Sequence, residues 1–302
     1  MNRIAIGTVV ARNYLAFAKV LARSLAERHP EIPFFVALSD GPHPATDGLA
    51  RQIVQLEALG IPDLECLCRR RSRKELAVSA KPFLLGHLLD RGYTAALFLD
   101  PDTLVVGDLS PTLDEVLAHA IVLTPHVLTP PGGADRVCRE LDLLQAGTFN
   151  AGFVGVSNRA GARRMLAWWQ DRVLAACAED VSAGVYFDQR WLDLMQVVFD
   201  EVRILRDPGC NIAYWNLPER RVEVRGNELF VGGGAARFFH FSGFDPAGLP
   251  FLSRHSRRAT LESAGAARVV YERYATLLNA AGYDAISRLP YAYQIEDSLI
   301  ED

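Results

Sequence analysis

Apolar residues follow two alternating rhythms along the chain. Short unbroken runs read as strands: "RIAIGTVV" at 3–10, "PFFVALSD" ending at Asp40, and "TAALFLD" ending at Asp100. The last is apolar on both faces, as the central strand of a parallel sheet is. Between these runs the spacing becomes helical. In "ARNYLAFAKVLARSLAERHP", Tyr14, Phe17, Ala18, Leu21 and Leu25 recur every three or four residues until Pro30 ends the element. A further helix is expected around 50–59, and "SAKPFLLGHLLDRGY" reads as a helix capped at Ser79, with Pro82 in its first turn and Gly92 as its stop. In the second half, "AIVLTPH", "FNAGFVGVS" and "ARFFHFSGF" read as strands. "NRAGARRMLAWWQDRVLAACA" and "YFDQRWLDLMQVVFD" read as helices, the second with Trp191, Leu194 and Met195 toward the core. "RVEVRGNELFVGG" reads as a hairpin turning at Gly226-Asn227. This alternation predicts an α/β chain whose parallel or mixed sheet carries helices on both faces. No repeat or linker divides it, so one domain over 1–255 and a C-terminal helical extension over 256–302 are expected, with the tail "QIEDSLIED" exposed.

Composition sets limits on function. Of 302 residues half are hydrophobic, which supplies a large core and excludes a disordered chain. The net charge is −4, so no whole-chain basic field points to nucleic acid. The local run "CRRRSRK" at 68–74 is expected to be a solvated face or loop. Five cysteines without a C-x-x-C pair favour reduced thiols in a cytosolic compartment over a disulfide framework or zinc site. "MNRIAIGTVVARN" reads as a first core strand and not as a signal peptide. No apolar run reaches the roughly 18 residues of a membrane span. A cytoplasmic protein is expected, with peripheral contact at the inner face of a membrane left open.

The stretch "ALFLDPDTLVVGDL" at 96–109 carries the chemistry. It runs from an apolar strand into Asp100 and Asp102, which point the same way in extended backbone and repel unless a cation lies between them. Strand ends of this kind collect ligands in open α/β sheets, and two carboxylates suit Mg²⁺ or Mn²⁺. A turn in which both aspartates cap backbone amides is the structural alternative. A haloacid-dehalogenase-type phosphatase spaces its threonine two residues beyond the second aspartate; here Thr103 follows at once, and that reading is set aside. No G-x-G-x-x-G follows the first strand, so no dinucleotide cofactor is expected.

Four segments in order carry a resemblance. "FLDPDTLVVGDL" resembles the DxD segment of GT-A glycosyltransferases, especially the glycogenin-like family 8 group and its bacterial relatives. "FNAGFVGVS" at 149–157, "FDQRWLD" at 187–193 and "FFHFSGF" at 238–244 resemble that group's later segments. The resemblance implies a GT-A fold, a Rossmann-like mixed sheet flanked by helices. It implies Mn²⁺ or Mg²⁺ held by Asp100, Asp102 and His240, with the imidazole tilting the choice toward Mn²⁺. It places Thr8 at the base and Lys81 at the sugar or diphosphate; Asn13, Tyr14 and Asp40 are further candidates for the base and ribose, with a helix cap and a turn as their alternative roles. Asn150 and Gly152 fall at the donor sugar, with Asp188 and Gln189 facing that sugar from the start of a helix. Gly243 closes the late motif beside the donor. The group's late Lys-Pro-Trp is missing from "HFSGFDPAG", which leaves Arg254, His255 or Arg257 as substitutes for its phosphate-binding lysine. Asn211, Tyr214, Trp215 and Asn216 are candidates for the acceptor side.

The function implied is metal-dependent transfer of a hexose from a nucleoside-diphosphate sugar, UDP-sugar favoured, with retention. The acceptor is a glycan, lipid-linked sugar, protein or small molecule. Three alternatives stay open: an inverting enzyme using Asp188 as base, a sugar nucleotidylyltransferase, for which "GTVVARN" is a poor match, and a nucleotide-sugar-binding protein without turnover.

Overall fold

The computed structural model describes residues 4–47, 49 and 52–293. The first half runs β1 (Ile4–Val10), α1 (Leu15–Arg28), β2 (Phe34–Leu38), β3 (Gln52–Gln55), α2 (Leu64–Arg70), α3 (Arg73–Ser79), α4 (Lys81–Asp90), β4 (Ala95–Leu99), β5 (Thr103–Val105), α5 (Ser110–Ala118), β6 (Ile121–Pro125), α6 (Arg136–Ala146) and β7 (Phe149–Ser157). It continues through α7 (Ala160–Ala175), β8 (Glu179–Asp180), β9 (Val185–Tyr186), α8 (Trp191–Val198) and β10 (Val202–Ile204). The hairpin strands β11 (Val222–Arg225) and β12 (Glu228–Val231) follow, with β13 (Gly234–Ala235) and β14 (Phe238–His240). The last elements are β15 (Phe251–Ser253), β16 (Ser256–Thr260), α9 (Arg268–Ala280) and α10 (Tyr283–Ile286).

Seven strands form a mixed sheet in the order β10-β6-β7-β4-β1-β2-β3. β1 is parallel to β2 and β4, whereas β7 runs antiparallel to both β4 and β6. β1, β4 and β7 are buried along their whole length, which is why their apolar runs are continuous and not alternating. Successive residues of β2 enter opposite cores. Phe35 joins Leu84, Leu88, Phe98 and Trp169, while Val36 joins Phe17, Phe241 and Tyr274. Each such side chain, fully buried, contributes about 1.5–3 kcal/mol.

The structure corrects several local expectations. The segment expected as a helix around 50–59 holds the edge strand β3, paired in parallel with β2 from Phe35↔Gln52 to Leu38↔Gln55. β-branched Ile53 and Val54 favour that pairing, and the Leu56–Leu59 spacing is spent on a single 3₁₀ turn closed by Gly60 at φ +68°. Ser79 does not cap α4; it ends α3 and its hydroxyl donates to Glu75 O at 2.6 Å. Ser72 and Glu75 cap α3 reciprocally. The helix expected from 186 begins only at Trp191. Phe187 adopts φ +48°, so Asp188 and Gln189 occupy a turn before α8 and not its first residues. On α8 the core side is Leu192 and Met195, while Leu194 is 47% exposed.

The run at 68–74 is only half solvated. Arg71 donates to Leu174 O and Ser79 Oγ, and the Lys74 ammonium lies 3.7 Å from the centre of the Phe187 ring. The expected boundary at 255/256 falls inside the antiparallel pair β15–β16. α9 then packs into the core of the main sheet, where Tyr274 stacks on Phe241 with ring centres 3.7 Å apart. The "QIEDSLIED" tail lies outside the described residues. Among the described residues no helix is long and apolar enough to cross a membrane.

Candidate functional site

Asp100 leaves the end of β4 in a turn closed by the main chain, Thr103 N donating to Asp100 O at 3.2 Å. The two carboxylates are therefore turned toward side chains. β5 pairs antiparallel with β14, Thr103 opposite His240, and Phe241 N donates to Asp102 O at 2.8 Å. This short ribbon brings His240 to Asp102, with Nε2 3.2 Å from Asp102 Oδ1 and 3.7 Å from Asp100 Oδ2. One ligand atom from each of Asp100, Asp102 and His240 lies within 4.8 Å of the others.

The other imidazole nitrogen fixes the tautomer. His240 Nδ1 faces two amide oxygens, Asn150 Oδ1 at 3.0 Å and Asn211 Oδ1 at 3.2 Å. Asn150 Oδ1 also accepts from Gly152 N, and Asn211 Nδ2 donates to Thr124 Oγ1, so neither amide is free to reverse. Nδ1 is the donor, which leaves Nε2 as the nitrogen available to a metal. Two carboxylates and one imidazole fit Mn²⁺ or Mg²⁺. Burial opposes charge on His240, but Asp102 outweighs it and holds the imidazole above its usual range; His240 in turn holds the buried Asp102 below the usual carboxylate range.

A second cation stands beside the first group. Lys81, in the first turn of α4 and 4% exposed, places Nζ 3.0 Å from Asp100 Oδ1, 3.1 Å from Asp188 Oδ2 and 3.3 Å from Ala151 O. Its three donors converge on three acceptors, which corrects any picture of it as a solvated lysine. Burial raises Asp188 and Lys81 pulls it back; the two carboxylates hold Lys81 charged despite its burial.

Asn150, expected at the sugar, is a hub of the scaffold. Besides His240 and Gly152 it reaches Gln189 Oε1 at 3.1 Å and His126 Nε2 at 3.3 Å. Gln189 Oε1 also accepts from Ala151 N, and its Nε2 donates to Ala146 O. Gly152 is required for a different close approach from that expected. A Cβ there would lie 2.7 Å from both Asn150 Oδ1 and His240 Nδ1 and closer still to His240 Cε1. Gly152→Ala is therefore expected to displace His240 and weaken Mn²⁺ binding roughly 10–100-fold, measured by titration calorimetry, with the fold retained.

Gly243, at φ +67°, lets the β15–β16 turn fold back on the late motif. A Cβ there would lie 2.5 Å from the His255 ring, and Arg254 N donates to Gly243 O at 2.9 Å. The Arg254 guanidinium lies close enough to Tyr14 to oppose the rise that burial gives its hydroxyl. Thr8, Asn13 and Asp40 lie apart from these groups, at or beyond the carboxyl ends of β1 and β2; Asp40 Oδ1 accepts from Arg12 N at 2.8 Å. Asn211 and Asn216 are wholly buried scaffold residues, Asn216 Nδ2 donating to His126 O and Asn211 O. Tyr214 and Trp215 line the cleft.

That cleft, of about 820 Å³, opens over Lys81, Asp100, Asp188 and His240. Two of its residues escaped the sequence reading. His126, just beyond β6, is buried and pushed down to about 4 by that burial. Lys74 enters from the basic run. A histidine after "IVLTP" and a lysine in a basic run carry no spacing that marks them. At the rim, α6 has no buried residue, and Arg258 ties it to β16 through Asp135 at 3.2 Å.

No protein-family model matches the chain. Two proteins of Bacillus subtilis (strain 168) are similar to it. YfnF is 24% identical over 246 residues, 78% of this chain and 80% of its own, and YfnD is 25% identical over 254 residues, 81% and 79%. Among solved structures, the galactosyltransferase LgtC in complex with donor and acceptor sugar analogues aligns with 91% of this chain and 95% of its own, at 17% identity and TM-score 0.54. The glycosyltransferase GlyE of Streptococcus pneumoniae TIGR4 aligns with 96% of this chain and 66% of its own, at 14% identity and TM-score 0.52. With a mixed seven-stranded sheet flanked by helices and carrying these likenesses, the chain has the GT-A glycosyltransferase fold.

Proposed function

We propose that the chain is a glycosyltransferase that moves a hexose from a nucleoside-diphosphate sugar, a UDP-sugar in the first instance, to an acceptor seated in the large cleft. The observation that carries this reading is the convergence of Asp100, Asp102 and His240 beside a second buried ion cluster, Lys81 with Asp188, on the floor of that cleft.

Asp100, Asp102 and His240 Nε2 would hold Mn²⁺ or Mg²⁺, which supplies positive charge to the departing diphosphate. Lys81 holds Asp100 and Asp188 in place, so the donor pocket is preorganised before substrate arrives. Arg254 and His255, folded back by Gly243, bring cationic and hydrogen-bonding groups to the same side as Ser242 and Lys74, and take the place of the missing late lysine. Asp188 and Gln189 stand at the sugar. Retention is supported by the engagement of Asp188 with Lys81 at 3.1 Å, which removes the free carboxylate an inverting base needs. Tyr214 and Trp215 offer aromatic faces for an acceptor sugar. The five free thiols support a cytoplasmic setting, with contact at a membrane's inner face for a lipid-linked acceptor.

The test is thermal melting with UDP, with and without Mn²⁺. UDP well above its dissociation constant should stabilise the protein by about 2–4 kcal/mol with Mn²⁺ present, and hardly at all in excess EDTA. Equal stabilisation in EDTA would remove the metal bridge from this reading. Mn²⁺-dependent release of UDP from UDP-glucose separates an enzyme from a protein that only binds the donor.

A further inference from the structure

Beyond α10, residues 289–293 have no regular secondary structure, yet they are tied down on α2 and α3. Arg73 Nη2 donates to Leu289 O at 3.0 Å, and the Tyr291 hydroxyl donates to Arg71 O at 3.2 Å. Tyr293 packs against the core cluster that includes Cys68, and the Tyr291 and Tyr293 rings meet edge to face at 5.4 Å. The Arg73 guanidinium lies 5.6 Å from the centre of the Tyr291 ring, and its Nε is 4.0 Å from Asp40 Oδ2. The segment thus seats Arg73 against Asp40.

Around Asp40 the protein leaves polar atoms without partners. Among the described residues, Asp40 Oδ2, Arg73 Nε, Arg12 Nε, Asn13 Oδ1, Ser39 Oγ and Thr8 Oγ1 are buried with no hydrogen bond. They belong together. β1 and β2 are neighbours in register, Thr8↔Val36 and Val10↔Leu38, Ser39 and Asp40 follow directly, and Asp40 Oδ1 already binds Arg12 N. A buried polar group left unpaired costs about 1–3 kcal/mol. Five of them on or just after two parallel strands, with Arg73 Nε from α3 4.0 Å from Asp40 Oδ2, mark a place where a polar ligand supplies what the chain does not.

We propose that residues 289–293 are a displaceable strap over the nucleoside end of the donor site, closed in the empty protein and swung away when nucleotide binds. This rests on the nucleotide-sugar reading above. β1 stands between β2 and β4 in the sheet, so a nucleotide whose diphosphate lies at Asp100 reaches the end of β2 with its nucleoside. A base supplies N–H groups for Asp40 Oδ2, and base and ribose oxygens supply acceptors for Arg73 Nε and Ser39 Oγ. While the strap is down, Arg73 is held by Leu289 O and the Tyr291 ring and stands against Asp40. The strap is held by the hydrogen bonds at Leu289 O and Arg71 O and by two tyrosine rings, a set small enough for ligand binding to outweigh.

The experiment compares the full chain with Tyr291→Ala for UDP binding in Mn²⁺ by calorimetry, and follows deuterium uptake of the 289–293 amides in the unmutated protein with and without UDP and Mn²⁺. A strap that must open lowers apparent affinity by the fraction of molecules open, so Tyr291→Ala is expected to bind UDP on the order of tenfold more tightly. Uptake at 289–293 is expected to rise when UDP binds. Unchanged affinity with unchanged uptake overturns the proposal. So does weaker binding with reduced uptake, which would make the segment a wall that closes on bound nucleotide. If Tyr291→Ala fails to fold, the exchange measurement decides alone. GDP, dTDP and CDP are run in parallel. Failure of all four nucleotides to bind either protein overturns the nucleotide-sugar reading with the strap, whereas binding without a change in uptake overturns the strap alone.

Discussion

Asp102→Asn is expected to lower Mn²⁺-dependent donor hydrolysis on the order of a thousandfold, about 4 kcal/mol of barrier. Asparagine keeps the shape of the side chain but not the charge that fixes a divalent ion between Asp100, Asp102 and His240. Unmutated protein assayed with Mn²⁺ replaced by EDTA should show a loss of similar size. The metal-free variant carries a second expectation. From sequence alone two neighbouring carboxylates repel, and neutralising one should cost no stability. The structure reverses this, because each carboxylate faces its own cation, Lys81 at Asp100 and His240 at Asp102. Asp102→Asn should therefore melt lower in EDTA by about 1–3 kcal/mol. The pH dependence has a definite sign. His240 is held above its unfolded value of about 6.5, so its share is complete below that value and fades as pH rises through the folded one. Asp102 is held below its unfolded value, so its share is present above about 4 and is lost on further acidification. The difference in melting should be widest between about pH 4 and 6.5 and narrow as pH rises through the raised His240 value. A variant destabilised but fully active would return the pair to the role of a turn.

Lys81→Met should be the most destabilising single change at the site. It keeps length and bulk, and leaves Asp100 and the buried Asp188 facing a space with no cation. Breaking a buried ion cluster from one side costs roughly 3–5 kcal/mol, against about 0.5 kcal/mol for a solvated surface lysine. The loss should shrink in acid. Burial already raises Asp188, and without Lys81 the strongest group opposing that rise is gone. The folded variant then binds a proton more readily than the unfolded chain, so its stability falls as pH rises through that range. Denaturant melts of both proteins at pH 5 and pH 8 test this: the gap between them should be wider at pH 8. Lys81→Arg should restore only part of the loss, because a planar fork cannot send three donors to Asp100, Asp188 and Ala151 O at once.

These residues also show what could be read from the chain beforehand. β1, β4 and β7 were legible because strands buried on both faces leave unbroken apolar runs. Asp100, Asp102 and His240 were legible as a set because four ordered segments resemble one family, although only the β5–β14 pairing brings the histidine to the aspartates. Other features depend on contacts between distant segments, which periodicity does not record. β3 is four residues long, too short to separate from a helix by its spacing. A left-handed Phe187 moved Asp188 and Gln189 out of their helix. Gly152 was singled out as a residue of close approach, but the partner is the His240 ring. Lys74 and Arg73 looked like members of a solvated run because nothing in "CRRRSRK" shows that α3 turns Lys74 into the cleft and Arg73 against Asp40. Residues 289–293 carry no motif at all, and their place is set by hydrogen bonds to Leu289 O and Arg71 O.

The stacking of Phe241 on Tyr274 has a consequence for how the molecule is made. Phe241 follows His240 and bonds Asp102, and it rests on a ring from α9, near the end of the chain. A nascent chain that has emerged through β14 already carries Asp100, Asp102 and His240, but it lacks the helix that braces Phe241 beside them. Domains assemble from the N-terminus during synthesis, and contacts between distant segments form slowly. The sheet can gather around β1, β2 and β4 while α9 is still to come, and the Asp100–Asp102–His240 cluster gains the Phe241–Tyr274 brace only once α9 has docked.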